Sequence, residues 1–145
     1  MRLTPVSPVN IDRLGALDRA RLGAEILIAY LRVRWLLHSQ TPIDAVASLR
    51  RHARGHQIRL PPGTDLLVGW RLAHAVSVTL SPLPTDVRCL FRSLTLLALM
   101  ERRSLHPKLI ISARPQPFVA HAWIELYGQA LLPDADDDHQ RLVEL

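Results

Sequence analysis

Residues 89–100 read Cys89-Leu-Phe-Arg-Ser-Leu-Thr-Leu-Leu-Ala-Leu-Met100, and Phe118-Val-Ala-His121-Ala-Trp123 follows further along the chain. The first stretch predicts an apolar helix, 89–103, and the second lies in a predicted strand. Cys89 is the only cysteine, and a free cysteine is more often a small core residue than a nucleophile. However, a thiol at a helix start followed by a histidine on a strand commonly assembles a cysteine nucleophile and its base. The two stretches together therefore predict a cysteine hydrolase.

The composition is that of a single folded domain spanning residues 1–145. Apolar residues make up 48% and charged residues 21% of the chain, which is typical of globular proteins. The longest stretch without Lys, Arg, Asp or Glu is 72–85, shorter than the roughly 18 residues that span a bilayer. The N-terminus has no signal-peptide pattern, and one cysteine cannot form an internal disulfide. The sequence thus predicts a cytoplasmic protein without a membrane span.

The charge is uneven along the chain. Residues 1–115 hold 17 Lys or Arg against 7 Asp or Glu, whereas residues 116–145 hold 1 against 6. The arginines are scattered, and no helix-turn-helix or zinc pattern accompanies them, so nucleic acid is not a predicted partner. The densest basic patch is interpreted as a solvated helix face and consists of Arg50, Arg51, Arg54 and Arg59.

Metal and cofactor sites are not predicted. His52 and His56 are four residues apart, but Gly55 is expected to break the helix between them. The chain also has no second cysteine that could complete a zinc site.

The apolar pattern divides the chain into a helical subregion, residues 1–80, and a second part that changes from helix to strands. Helices are predicted from about Asp18 to His38, from Ile43 to Arg54 with Thr41 as N-cap and Pro42 at the first position, and from Asp65 to about Leu80. Strands are predicted at Lys108–Arg114, Phe118–Leu126 and Gln129–Leu132, with a weak helical ending at His139–Leu145. The predicted fold class is α+β, a helical N-terminal half followed by a core in which the cysteine-bearing helix packs on a small antiparallel sheet.

The strand 118–126 has two different faces. Its even-numbered residues are all apolar, and the other side carries Val119, His121, Trp123 and Glu125. His121 therefore lies away from the apolar face, although a lone histidine on a strand is more often structural than catalytic.

The pair Tyr127-Gly128 predicts a two-residue hairpin turn. The residue numbers of each opposed pair then add up to 255, which places Asp134 directly across from His121. Their Cβ atoms would be about 4.5–5.5 Å apart, so the carboxylate could accept the imidazole N–H and fix its tautomer. Because Pro133 weakens the strand there, Asp136 is the alternative.

A thiol in the first turn of a helix lies at the positive end of the helix dipole, and a nearby imidazolium lowers its pKa further. Only the thiolate attacks. The backbone N–H groups at that helix start, including that of Cys89, are also expected to stabilise a tetrahedral oxyanion.

Four motifs carry a family resemblance: Arg88-Cys89-Leu-Phe-Arg92-Ser93-Leu, Glu101-Arg102-Arg103, Phe118-Val-Ala-His121-Ala-Trp123-Ile-Glu125, and Gly128. Together they resemble the lasso-peptide leader peptidases, a bacterial transglutaminase-like family of cysteine proteases. The resemblance covers residues 84–134, the predicted catalytic core. It implies a papain-like α/β core in which cysteine, histidine and aspartate cleave the leader from a ribosomally made precursor peptide.

Carried over by position, the resemblance implies Cys89 as nucleophile and His121 as general base and acid. It also implies an aspartate shortly after the hairpin glycine, for which the strand pairing selects Asp134. Trp123 and Glu125 match the family pattern too, and they are interpreted as a packing residue beside the site and a strand-edge charge.

Some members of that family carry a winged-helix leader-recognition domain ahead of the protease, whereas residues 1–80 here are predicted to be helical. The resemblance therefore implies the split form, with a separate leader-binding protein that presents the precursor and an ATP-dependent lasso cyclase acting downstream. The basic helical half is a candidate docking surface for the partner or the leader. Two other functions stay open: transglutaminase-like acyl transfer to an amine, and a non-catalytic scaffold that binds a biosynthetic partner.

Overall fold

The computed structural model describes residues 15–55, 57–58, 60, 63–82, 85–115, 118–131 and 140–145. In these ranges four helices precede four strands, which confirms the predicted α+β class. The helices are α1 (Ala16–Ser39), α2 (Pro42–Arg54), α3 (Asp65–Thr79) and α4 (Thr85–Arg102). The strands are β1 (Lys108–Pro115), β2 (Phe118–Leu126), β3 (Gln129–Ala130) and β4 (Gln140–Glu144).

A cap of the predicted kind starts α2. The Thr41 hydroxyl accepts a hydrogen bond from the backbone N–H of Asp44 at 3.3 Å, and Pro42 is the first helical residue. Proline is tolerated there because that N–H would have no partner inside the helix. The helix ends at Arg54, before Gly55, as predicted. Among the helices that the structure describes, none is long and apolar enough to cross a membrane.

Helix α4 is the centre of the molecule, since it packs against α1, α2, α3 and β2. Its most deeply buried apolar residues, each at most 2% exposed, are Leu94, Leu96, Leu97, Leu99 and Met100. They share one apolar cluster with residues of the other three helices and of β1 and β2. Burying the apolar faces of both layers against each other holds α4 in a defined position relative to β2.

Ion pairs join the C-terminal end of α4, and Arg103 directly after it, to α1 and α2. Arg50 of α2 donates from Nε to Glu101 Oε1 at 2.8 Å and from Nη2 to the Pro107 carbonyl at 3.0 Å. Arg103 donates from its two Nη atoms to the two carboxylate oxygens of Glu25 in α1, at 2.9 and 3.0 Å. Because Glu101 is only 6% exposed, its carboxylate is stabilised by the guanidinium of Arg50 rather than by water.

The contact of Arg50 corrects part of the predicted solvated basic face. Arg51 and Arg54 are exposed, as that interpretation expects, and Arg59 lies outside the described residues. Arg50 instead points to the buried carboxylate of Glu101, because an uncompensated charge at that position would be strongly destabilising.

The strands of the sheet lie in the order β3-β2-β1-β4, and every neighbouring pair is antiparallel. β1 pairs along its full length with β2, and Ser112 lies opposite His121. The predicted turn joins β2 to β3, and its residues Tyr127 and Gly128 have φ values of 51° and 77°. Positive φ at both positions is the type I′ geometry, which matches the twist of the flanking strands.

The C-terminal segment forms a strand, so the predicted helical ending at His139–Leu145 is wrong. β4 pairs with β1, with Ile111 opposite Val143, and Leu109 and Leu145 exchange two backbone hydrogen bonds of 2.8 Å. Helix propensity in this segment is weak, whereas the outer edge of β1 offers backbone groups that need partners. Pairing with that edge therefore decides the conformation.

Candidate active site

Cys89 of α4 and His121 of β2 are joined by a hydrogen bond between their side chains. Both residues are partly buried, so the pair is shielded but open to a reactant. The two residues are far apart in the sequence, and the packing of α4 on β2 brings them together. A thiol beside an imidazole can pass its proton to the ring and become a nucleophile.

The pKa of the Cys89 thiol lies below its ordinary value. The largest cause is the hydrogen bond with the His121 side chain, and burial acts in the opposite direction. A backbone hydrogen bond from Ala122, the charge of His121 and a backbone hydrogen bond from Leu90 add to the lowering. Each of these three stabilises the thiolate over the thiol, so Cys89 ionises at a lower pH than a free cysteine.

The predicted placement of Cys89 at the helix start is wrong, because α4 begins at Thr85 and Cys89 is its fifth residue. Only the first four N–H groups of a helix lack partners within it, and the dipole acts mainly within the first turn. The expected roles of the helix dipole and of the Cys89 N–H in an oxyanion site therefore do not apply. The contact with His121 takes their place as the main source of thiolate stabilisation.

Ser93 joins α4 to β2 beside this pair. It lies one helical turn after Cys89, is fully buried, and donates from Oγ to the Ala122 carbonyl at 3.1 Å. The backbone of Ala122 thus contacts α4 at both Cys89 and Ser93. The sequence alone predicts no role for Ser93. Its position four residues after the cysteine, as a polar residue in an apolar run, is the signal that could have indicated one.

The predicted third residue, Asp134, lies outside the described residues, as does its alternative, Asp136. The pairing on which Asp134 was chosen is confirmed where the structure describes it. The observed opposed pairs, Leu126 with Gln129 and Glu125 with Ala130, both sum to 255. The role of Asp134 remains a prediction that rests on extending this register.

Extending this register toward Asp134 would leave one carbonyl of β2, that of Ala122, without a donor on the opposite strand. The backbone N–H of Leu131 still donates to the Ile124 carbonyl at 2.9 Å. In the same register the residue opposite Ala122 would be Pro133, which has no N–H to donate. The hydroxyl of Ser93 supplies the hydrogen bond that the Ala122 carbonyl requires.

Trp123 and Glu125 follow His121 along one face of β2. The rings of His121 and Trp123 stack, with their centroids 5.8 Å apart and 27° between their planes. The indole Nε1–H donates to Glu125 Oε1 at 3.1 Å. The opposite face contributes Ala122, Ile124 and Leu126 to the apolar core. The predicted difference between the two faces is therefore confirmed for these residues.

Ser112 is the neighbour of His121 on β1, directly across the strand pair. It is fully buried, and its hydroxyl has no hydrogen-bond partner among the described residues. The sequence offered no signal for this neighbour, because only the register of β1 against β2 selects it.

The described ranges contain no group of three or more His, Cys, Asp or Glu side chains arranged to hold a metal ion. His52 is exposed on α2, and His56 lies outside the described residues.

Comparison with known protein families gives a match over most of the chain. The model of the family described as the transglutaminase-like superfamily matches residues 27–145 of this chain. No curated protein and no solved structure matches it. The matched range contains both Cys89 and His121 and covers most of the chain.

Proposed function

Because the chain belongs to the transglutaminase-like superfamily, which includes cysteine proteases and acyltransferases, we propose that it is a cysteine endopeptidase. Its proposed substrate is a ribosomally made lasso-peptide precursor, from which it removes the leader before macrolactam formation. The observation that carries this proposal is the hydrogen bond between Cys89 and His121, with its lowered thiol pKa. A scaffold that only binds a partner has no need for an activated thiol. The motifs around both residues, which resemble leader peptidases, support the choice of a peptide leader.

In the proposed reaction the Cys89 thiolate attacks the carbonyl carbon at the leader–core junction and forms a tetrahedral intermediate. The His121 imidazolium donates its proton to the leaving amine, the C–N bond breaks, and the core peptide departs with a free amino terminus. The leader stays on the sulfur as a thioester. His121 then takes a proton from water, which attacks the thioester and releases the leader carboxylate and the thiolate. Asp134, or alternatively Asp136, is proposed to hold the imidazole in the required tautomer.

A cleavage assay with two competing acceptors tests this function. The protein is incubated with a precursor peptide encoded nearby and its leader-binding protein, in ¹⁸O-labelled water that also contains a primary amine. Mass spectrometry is expected to show one cut, with ¹⁸O in the leader carboxylate. Amine attached to the leader would instead identify the acyltransferase alternative. Intact precursor, with the leader-binding protein shown to hold it, would identify the scaffold.

A separate leader-binding protein is the proposed partner, and α1 offers a surface for it. Leu27, Leu31 and Trp35 recur at every fourth residue of the helix, and Ile28 lies beside them. In that order they are 50%, 60%, 70% and 62% exposed, and we call these four residues the α1 stripe. Single exposed apolar residues are ordinary, whereas a continuous stripe on one helix face is typical of a binding surface.

The charges around the α1 stripe indicate the chemistry of this partner. Arg21, Arg32 and Arg34 are exposed on the same helix, whereas Glu25 is held by Arg103. A partner segment with apolar residues flanked by Asp or Glu complements this surface. A second copy of this chain would bring arginines against arginines, so the proposed occupant is a different protein.

Replacing Leu31 by glutamate is expected to weaken binding of the leader-binding protein at least about tenfold, because a charge then enters the apolar contact. Isothermal titration calorimetry measures the affinity. Val78→Glu in α3 is the matched control, since Val78 is 59% exposed, against 60% for Leu31. Equal affinities for the two variants would contradict docking on α1. So would a dimer of the protein alone that Leu31→Glu dissociates in sedimentation analysis.

A further inference from the structure

An aromatic ring stacks beside the proposed base. The indole of Trp123 stacks on the His121 imidazole, with 5.8 Å between the ring centroids. A protonated ring within about 6 Å of a tryptophan face is in the range of a cation–π interaction. Trp123 is only 5% exposed, and such an interaction is stronger where water is excluded. The stacked indole is therefore placed where it can stabilise a positive charge on the imidazole when the ring takes the proton of Cys89.

Glu125 holds the indole in this position. Its Oε1 accepts the hydrogen bond from Trp123 Nε1 at 3.1 Å. A carboxylate is a stronger acceptor than a neutral group, so this hydrogen bond restricts the orientation of the indole. Since alternate residues of a strand share a face, Glu125, Trp123 and His121 form a row that leads to the thiol.

We infer that Trp123 and Glu125 are positioning residues of this site: the Glu125 carboxylate orients the indole, and the indole face orients the His121 ring and stabilises its protonated form beside the Cys89 thiolate. The inference deepens the proposed function and rests on it only for the role of His121 as the base. The row also gives a physical reason for the spacing of the histidine, tryptophan and glutamate in the motif 121–125.

The stacked indole is expected to shift the equilibrium of the proton that Cys89 and His121 share. The proton shared by the thiol and the imidazole lies either on sulfur, leaving two neutral groups, or on nitrogen, leaving a thiolate and an imidazolium. The indole face stabilises only the second arrangement. Removing the indole should therefore return protons to the sulfur and reduce the thiolate fraction at neutral pH.

Alkylation of the single cysteine measures this fraction without any peptide substrate. The rate of reaction with iodoacetamide is followed by mass spectrometry across a range of pH, and it is proportional to the thiolate present. Because Cys89 is the only cysteine in the chain, no other thiol contributes. The full-length protein is used throughout, and the melting temperature of each variant is recorded.

Trp123→Leu is expected to slow alkylation at neutral pH about threefold to tenfold and to move the pH profile upward. Its rate at alkaline pH, where the thiol is ionised in both proteins, should match that of the unchanged protein. Glu125→Leu, which leaves the indole in place, should shift the profile in the same direction by less. Trp123→Phe and Glu125→Gln keep a ring and an acceptor, respectively, and should restore most of the rate.

Trp70→Leu is the control, because it makes the same substitution at a tryptophan of α3 that is 45% exposed. The pH profile of alkylation of this variant should not move. A residue that only packs would change the melting temperature and leave the midpoint of the profile in place. The inference is overturned if the midpoints of Trp123→Leu and Glu125→Leu coincide with that of the unchanged protein. Failure of the proposed function would appear separately, as a precursor that the unchanged protein does not cleave.

Discussion

Replacing Cys89 by alanine is expected to lower the rate of leader cleavage about a thousandfold or more. The proposed reaction forms a thioester on the Cys89 sulfur, and alanine has no group that can attack a carbonyl. Loss of the nucleophile costs at least this factor in well-studied hydrolases. The rate is measured by mass spectrometry under single-turnover conditions, with the leader-binding protein in excess. Because Cys89 is only half-buried, little change in melting temperature is expected.

A double variant provides the control for this first prediction. His121→Ala should also lose most activity, and the Cys89→Ala/His121→Ala protein should be no slower than Cys89→Ala alone. Residues that act as one unit give effects that do not add. Independent, additive losses would contradict the proposed pairing of thiol and imidazole. Cleavage by Cys89→Ala within about tenfold of the normal rate would show that Cys89 is not the nucleophile.

Replacing Arg50 by alanine is expected to lower the free energy of unfolding by about 2–3 kcal/mol. Glu101 is 6% exposed, and Arg50 holds it through a 2.8 Å contact, so the variant leaves a buried carboxylate with less compensation. Breaking a fully buried pair costs about 3–5 kcal/mol. Because 33% of the Arg50 side chain is exposed, we expect the loss of unfolding free energy to be smaller than for a fully buried pair. Urea unfolding measures the free energy, and the melting temperature should fall by about 5–10 °C.

Arg51→Ala is the matched control for the stability prediction. Arg51 is the next residue of α2, is exposed, and donates to the Ser48 hydroxyl at 3.2 Å on the surface. Its removal should change stability by no more than about 0.5 kcal/mol. Equal losses for the two variants would show that Arg50 acts through helix propensity or net charge rather than through Glu101.

Local signals predicted the elements whose stabilising contacts lie within a few residues. Thr41 and Pro42 start α2 as predicted, because the cap bonds to a residue three positions away. Tyr127 and Gly128 form the predicted turn, because both adopt positive φ and the turn itself sets the first pairs. The two faces of β2 followed from simple alternation of side chains.

Elements that depend on distant partners were predicted less well. The helical ending predicted for the C-terminal segment was wrong because β4 is stabilised by the edge of β1, which exists only in the assembled sheet. The solvated face predicted for Arg50 was wrong because its partner, Glu101, is buried by the packing of α4. The predicted start of α4 at Cys89 is wrong because the helix begins at Thr85. The expected influence of the helix end on Cys89 is therefore wrong as well.

The amino-acid sequence alone determines the fold class, the choice of Cys89 and His121 as candidate site residues, and the spacing of residues along β2, since these depend on neighbouring residues and on repeat periods of two and 3.6. Only tertiary packing decides that Cys89 touches His121, that Ser93 joins α4 to Ala122, and that the Trp123 ring lies on the imidazole. These contacts join different elements or fix one ring orientation among several. Such arrangements are selected by how a whole core packs, and no local pattern encodes them.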